Sequence, residues 1–226
     1  MFDLKQRYSS VVQRVAQTCE SEGLDATAIR WMAVTKTRSA GEVEAAFNLG
    51  VRHVGENYLQ EAIDKKVGLS EVPLVWHFIG HIQSNKAKTI AEHFDWVHSV
   101  DRRKVIERLA KSASDQGRVL NVCLQLNIDQ EIQKSGASIA EVAELVSAVV
   151  SEPALCMRGF MVIPQQAEND ALRETFDQAH RLYCDYQSQV PTIDTLSMGM
   201  SSDLELAIAC GANFLRVGTA LFGPRG

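Results

Sequence analysis

Apolar residues in the first part of the chain recur at helical spacing: Leu4, Tyr8, Val11, Val12, Val15 and Cys19 share one face. Asp3 stands before them as a candidate N-cap and Gly23 after them as a stop, so one amphipathic helix is predicted. From residue 31 the pattern changes to short β-branched or aromatic runs alternating with amphipathic stretches. The runs at 31–35, 53–56, 74–79, 96–99, 119–127, 157–163, 195–198 and 214–217 read as strands. Helical spacing fills 40–49, 57–66, 85–92, 102–114, 139–150, 168–187 and 202–210, with Gly50, Gly68, Gly117 and Gly211 as stops.

Strands that are each followed by a helix, all but the last, predict a single (β/α)8 TIM-type barrel with an extra N-terminal helix, residues 1–226 forming one domain. Counting elements does not demonstrate closure, and an open doubly wound sheet is the alternative. The chain stops soon after the last strand, which leaves little for an eighth outer helix beyond a short one after Gly218. The N-terminal helix is available to cover that gap. No linker rich in Pro, Gly or Ser marks a second domain.

Composition narrows the function classes. The 226 residues are 46% apolar, enough for a sizeable core. Lys and Arg number 23 against 28 Asp and Glu, a formal charge of −5, with no basic run to neutralise a row of phosphates, which argues against nucleic acid as a partner. No window approaches the roughly 18 apolar residues of a membrane span, and the amino terminus has no export signal, so a cytoplasmic protein without membrane attachment is expected. The cysteines at 19, 123, 156, 184 and 210 are odd in number and scattered, as expected of packed free thiols rather than of disulfides or a thiolate zinc site.

In a barrel, reactive groups belong where strands end. The run WMAVTK delivers Lys36 to such an end, where partial desolvation favours the neutral amine that attacks an aldehyde. A surface lysine with its stem along apolar surface is the alternative. MGMSS at 198–202 and RVGT at 216–219 end the seventh and eighth strands. Ser201, Ser202, Gly218 and Thr219 there offer hydroxyls and approachable backbone N–H groups to an anion. Ser202 is also placed to form a capping box with Glu205. A lysine for an aldehyde and a nest for a phosphate across one mouth are what a phosphorylated aldehyde cofactor requires.

Arg216 shares a strand with Gly218 and is placed to meet the ring of such a cofactor, where a permanent cation would weaken the ring as an electron sink. A surface ion pair with Asp203 or Glu205 is the alternative. GENY ends the second strand, with Asn57 placed to pack on one ring face, and WHFIGHIQSNK ends the third. His77 and His81 are four apart, but that spacing unites metal ligands only on a helix, so no metal is expected and His77 reads as a satisfied or ring-contacting imidazole.

The blocks AVTKT, HVGENY, WHFIGHIQSNK, MRGFMVIP and LSMGMSSDLELAIACGANFLRVGTALFG, in this order along nearly the whole chain, resemble the YggS/PROSC family of pyridoxal phosphate homeostasis proteins. That family is a barrel related to the amino-terminal domain of alanine racemase. The resemblance implies a pyridoxal 5'-phosphate Schiff base on Lys36, Arg216 at the pyridine nitrogen, and phosphate contacts from Ser201, Ser202, Gly218 and Thr219. It further implies that Asn57, His77 and Met161 line the ring pocket; the residues alone assign Met161 to core packing. Arg38 stands where relatives commonly carry a second lysine, and Arg38 cannot form an imine. The segment EIQKSG resembles one that carries a further lysine, here Lys134, a candidate transfer or regulatory site or an ordinary solvent lysine.

Three function classes follow. The first is a non-catalytic protein that stores or transfers the cofactor, with apo-enzymes as recipients and a monomer as the expected state. The second is an amino-acid racemase, which needs an acid or base on the ring face opposite Lys36, supplied in racemases by a second domain for which this chain has no residues left. The third is a lysine aldolase acting on a sugar phosphate without a cofactor.

Overall fold

The computed structural model describes residues 4–129, 135–165 and 168–224. Eight strands alternate with helices: β1 (Arg30–Val34), β2 (His53–Glu56), β3 (Val75–Phe78), β4 (Trp96–Val100), β5 (Leu120–Leu126), β6 (Leu155–Val162), β7 (Thr195–Ser197) and β8 (Phe214–Val217). All pair in parallel, each with its sequence neighbour, and β8 returns to β1 through Arg30 opposite Phe214 to Ala33 opposite Val217. The sheet is therefore closed, which excludes the open alternative.

The helices are α1 (Leu4–Glu22), α2 (Ala40–Leu49), α3 (Leu59–Gly68), α4 (Ala87–His93), α5 (Arg103–Asp115), α6 (Val142–Val150), α7 (Asn169–Gln187), α8 (Leu204–Ala209) and α9 (Thr219–Phe222). Helix α1 buries Val11, Val15, Thr18 and Cys19 and packs on α8 and α9, covering the side of the barrel where the outer ring is thinnest. The candidate cap Asp3 lies outside the described residues. Helix α2 starts at a capping box in which Ser39 and Glu42 satisfy each other's backbone N–H groups. Gly68 is the last residue of α3 rather than its stop, the C-cap falling on Leu69.

Alternation along the strands sorts side chains into two cores. Outward residues such as Ala33, Val54, Val97 and Leu215 join the layer between strands and helices. Inward residues form smaller clusters inside the barrel, Met32, Ile79 and Phe214 in one and Trp96, Cys123 and Met161 in another. Phe160, Phe176 and Phe214 are fully buried, each contributing about 1.5–3 kcal/mol by transfer from water. The five cysteines are unpaired thiols. No helix among the described residues is long and apolar enough to cross a membrane.

Candidate functional site

Strand parity also decides what faces the barrel mouth. Met32 and Val34 point inward, and Lys36 continues their register just past the end of β1. Phe214, Arg216 and Gly218 are in phase on β8, and Gly55 and Asn57 on β2. At the C-terminal ends of the strands lies a cavity of about 770 Å³. Lys36, Asn57, Ser201, Ser202, Arg216, Gly218 and Thr219 all line it, so the structure brings these seven together.

His77 and Met161 do not, which corrects the expectation that they line the pocket. Their places are taken by Ile79 and Ile163, the next inward residues on the same strands. A strand rises about 3.3 Å per residue, so a step of two sinks His77 and Met161 a full pleat below the mouth. His77 is fully buried, its Nε2 2.9 Å from His53 Nδ1 and its Nδ1 2.9 Å from His98 Nε2. Burial, with the neighbouring His98 and His53, holds His77 well below the ordinary imidazole range. Met161 packs on Trp96 and Cys123. His81 leaves the barrel and pairs its Nδ1 with the Ser135 hydroxyl at 2.9 Å. Among the described residues no cluster of His, Cys, Asp or Glu could hold a metal ion. Lys134 lies outside the described residues.

Arg216 is buried and donates to Ser197 O at 2.7 Å, Ser197 Oγ at 3.0 Å and Val162 O at 2.7 Å. A surface ion pair is excluded because Arg216 is buried with its guanidinium donating to these oxygens, and Glu205 is engaged by Arg14 of α1 at 2.6 and 2.9 Å. Burial pulls the Arg216 guanidinium down to about 10, which still leaves it charged at neutral pH.

The same Arg14 pair removes the capping-box alternative for Ser202. Helix α8 starts two residues later, with Asp203 at the N-cap accepting from Met200 N–H at 2.5 Å, so Ser202 stays in the turn beside the cavity. Ser201 Oγ accepts from the N–H groups of Gly218 at 3.3 Å and Ala220 at 3.0 Å, joining the loops after β7 and β8. Gly199 makes this turn possible: its φ is +89°, and a Cβ there would lie 2.6 Å from Ala207 Cβ.

Asn57 lies outside α3, which starts at Leu59 rather than at 57. Its Oδ1 is buried with no hydrogen-bond partner, an orphaned acceptor at the cavity wall. The loop is pressed against Gly80, where a Cβ would lie 2.1 Å from Asn57 O.

Arg14 and Arg38 also line the cavity; the sequence marks Arg38 only as unable to form an imine and does not mark Arg14 as a site residue. Arg38 is fixed by donation to Gly223 O at 2.9 Å. For Arg14 no local signal exists, since it comes from the extra helix rather than from a strand end. Arg14, Arg38, Arg216 and Lys36 line this wall and no carboxylate does among the described residues, while Arg14 pairs with Glu205 at 2.6 Å and Arg38 with Glu42 at 3.5 Å.

Residues 11–226 match the family model described as alanine racemase, N-terminal domain. A curated relative from Pseudomonas aeruginosa, named pyridoxal phosphate homeostasis protein, is 45% identical over 100% of this chain and 97% of its own length. One of the same name from Escherichia coli is 40% identical over 100% of this chain and 98% of its own. PipY of Synechococcus elongatus, solved with PLP bound, superposes with a TM-score of 0.85 at 36% identity, covering 98% of this chain and all of that one. With its closed barrel and lysine-bearing mouth, the chain belongs to the family of pyridoxal phosphate homeostasis proteins, built on the alanine racemase N-terminal type of domain.

Proposed function

We propose that this protein holds pyridoxal 5'-phosphate at the barrel mouth, covalently through Lys36, for storage or transfer to apo-enzymes, and does not turn over a substrate. The observation that carries this reading is the composition of one wall: an amine and an anion nest face one cavity, and among the described lining residues no second acid or base accompanies them. Among the described lining residues the ionisable groups besides Lys36 are Arg14, Arg38 and Arg216, none of which exchanges protons near neutrality. A racemase needs such a group on the ring face away from the lysine.

The residues fit the cofactor. Lys36 supplies the amine that condenses with the aldehyde, releasing water. Ser201, Ser202, Gly218 and Thr219 receive the phosphate, with Arg14, itself paired with Glu205, holding the Ser201 backbone at that end. Asn57 presents its orphaned Oδ1 to the ring, and Arg216 meets the ring nitrogen, where its charge opposes protonation and weakens the ring as an electron sink. His77 and Met161 support the floor from one pleat below. A cavity of about 770 Å³ is in the range of about 300–1,000 Å³ typical of small-ligand sites. We place the protein in the cytoplasm, where five unpaired thiols stay reduced, and expect a monomer.

The test is transfer. Loaded protein should activate an apo-enzyme at least as well as free cofactor at matched concentration, and should incorporate no α-deuterium into single enantiomers of alanine in deuterated water. Racemisation with deuterium uptake would refute the carrier reading.

A further inference from the structure

Behind the strand that carries Lys36, on the side away from the cavity, lies a buried ionic cluster that takes no part in the mouth. Lys65 of α3, 6% exposed, donates all three of its ammonium protons: to Thr35 O at 2.5 Å, Glu56 Oε1 at 2.6 Å and Glu61 Oε1 at 2.6 Å. Glu56 is wholly buried and also accepts from Thr35 Oγ1 at 2.6 Å, while its Oε2 has no partner. Glu61 accepts in addition from the backbone N–H of Thr37 at 2.5 Å.

The partners on the chain side belong to the two peptide groups that flank Lys36, one accepting through the Thr35 carbonyl and the other donating through the Thr37 N–H. Its preceding carbonyl is held by Lys65 and its following N–H by Glu61, both from one helix. Between them the backbone reverses in a turn closed by Arg38 N–H to Thr35 O at 3.0 Å, with Lys36 and Thr37 as the central residues. Thr37 has a φ of +64° and is the only non-glycine residue with positive φ among those described. A β-branched residue rarely adopts this conformation, which suits glycine or asparagine, and it persists only where surrounding contacts over-determine it. A buried ion pair is an expensive way to secure a fold that an apolar pair would secure as well, so its value here is in what it fixes.

We propose that Glu61 and Lys65 are positioning residues for Lys36: together they clamp the turn on both sides of it and hold its amine on the cavity side, so that the energy of the covalent bond does not have to order the loop. This rests on the reading of Lys36 as the amine that takes the cofactor aldehyde. Neither residue touches the cavity, and their effect should reach covalent capture without touching the phosphate nest.

Two ligands separate these effects. Pyridoxal 5'-phosphate uses both the amine and the nest, whereas pyridoxine 5'-phosphate, with an alcohol in place of the aldehyde, uses the nest and ring contacts alone. Glu61 is 28% exposed, so Glu61→Ala should fold. It is expected to weaken binding of pyridoxal 5'-phosphate about tenfold, with a matching loss of the imine absorption band, and to leave the affinity for pyridoxine 5'-phosphate unchanged. Glu61→Gln, which keeps an oxygen for Thr37 N–H, should recover part of the loss. Lys65→Met should exceed Glu61→Ala if it folds, and Glu61→Ala decides if it does not. Folded Glu61→Ala with unaltered capture, or with both ligands weakened equally, would overturn the proposal. A wild-type protein that binds both ligands alike and yields no borohydride-stable adduct would instead refute the reading of Lys36, and this inference with it.

Discussion

The hydroxyl oxygen of Ser201 sits 3.0 Å from the backbone nitrogen of Ala220 and accepts its proton, while accepting a second from Gly218 at 3.3 Å. Both lone pairs of the hydroxyl are thereby used, and its single proton is left to be donated elsewhere. Ser201 borders the cavity, so this arrangement orients one O–H donor at the junction of two loops that also supply backbone N–H groups. An anion arriving there would meet converging donors.

Ser201→Ala removes that donor and unties the loops. A hydrogen bond to a charged group contributes about 1.5–3 kcal/mol, so the affinity for pyridoxal 5'-phosphate should fall by at least about tenfold. Pyridoxal, which lacks the phosphate, should bind with unchanged affinity. Equal losses for the two aldehydes in parallel titrations would remove the phosphate from this end of the cavity.

Two glycines offer a paired test of the loop that carries Asn57. A methyl group at Gly80 would lie 2.1 Å from Asn57 O and meets backbone that cannot yield cheaply. Gly80→Ala should therefore cost about 1–3 kcal/mol in denaturant unfolding and lower cofactor affinity as Asn57 shifts. Gly41, inside α2 with open space around it, is the control: Gly41→Ala should stabilise by about 0.5–1 kcal/mol and leave binding alone. Comparable stability for the two variants would show that the close approach at residue 80 is not needed.

Acid should act on the barrel interior. Burial, with Arg216, Arg30 and His53 nearby, pushes His98 down to about 3, and His77 is held well below its usual range by burial and by His98. Both are therefore neutral in the folded state and protonate near 6.5 when unfolded. The unfolded chain then binds more protons below pH 6.5, so the stability present above that pH is lost progressively as pH falls toward 3. Each such histidine sets a slope of up to about 1.4 kcal/mol per pH unit. Glu56, raised by burial, works in the opposite sense and blunts the slope. Thermal melts from pH 7.5 to 4.5 should show a falling Tm in the wild type and a flatter profile in His98→Gln. Parallel profiles would mean that the interior imidazoles do not govern acid sensitivity.

Much of this molecule is legible from its pattern. The strand at 53–56 and the helix at 40–49 have the same bounds in the sequence and in the structure, the helix because a Ser39–Glu42 capping box starts it and Gly50 ends it. Lys36, Arg216 and Gly218 were findable because parity carries inward residues straight out to the mouth. The same parity, counted one step further, brings Ile79 and Ile163 to the mouth instead of His77 and Met161, which only the family resemblance assigns together to the ring pocket; the residues alone place Met161 in the core, where it packs on Trp96 and Cys123. The alternative for Ser202, a cap with Glu205, falls away because Arg14 takes that carboxylate from a helix 191 positions away, a contact no local pattern encodes. The clamp behind Lys36 was hidden for a similar reason, since Lys65 reads as an ordinary charge in an amphipathic helix until the fold sets α3 against β1 and β2.

In the proposed function a single amine, that of Lys36, receives the cofactor. Protein equilibrated with pyridoxal 5'-phosphate, reduced with borohydride and mapped by peptide mass should carry one pyridoxyl phosphate group, on Lys36, and Lys36→Ala should fold normally and carry none. A label that persists undiminished in Lys36→Ala, or that maps in the wild type to another lysine, would contradict the account.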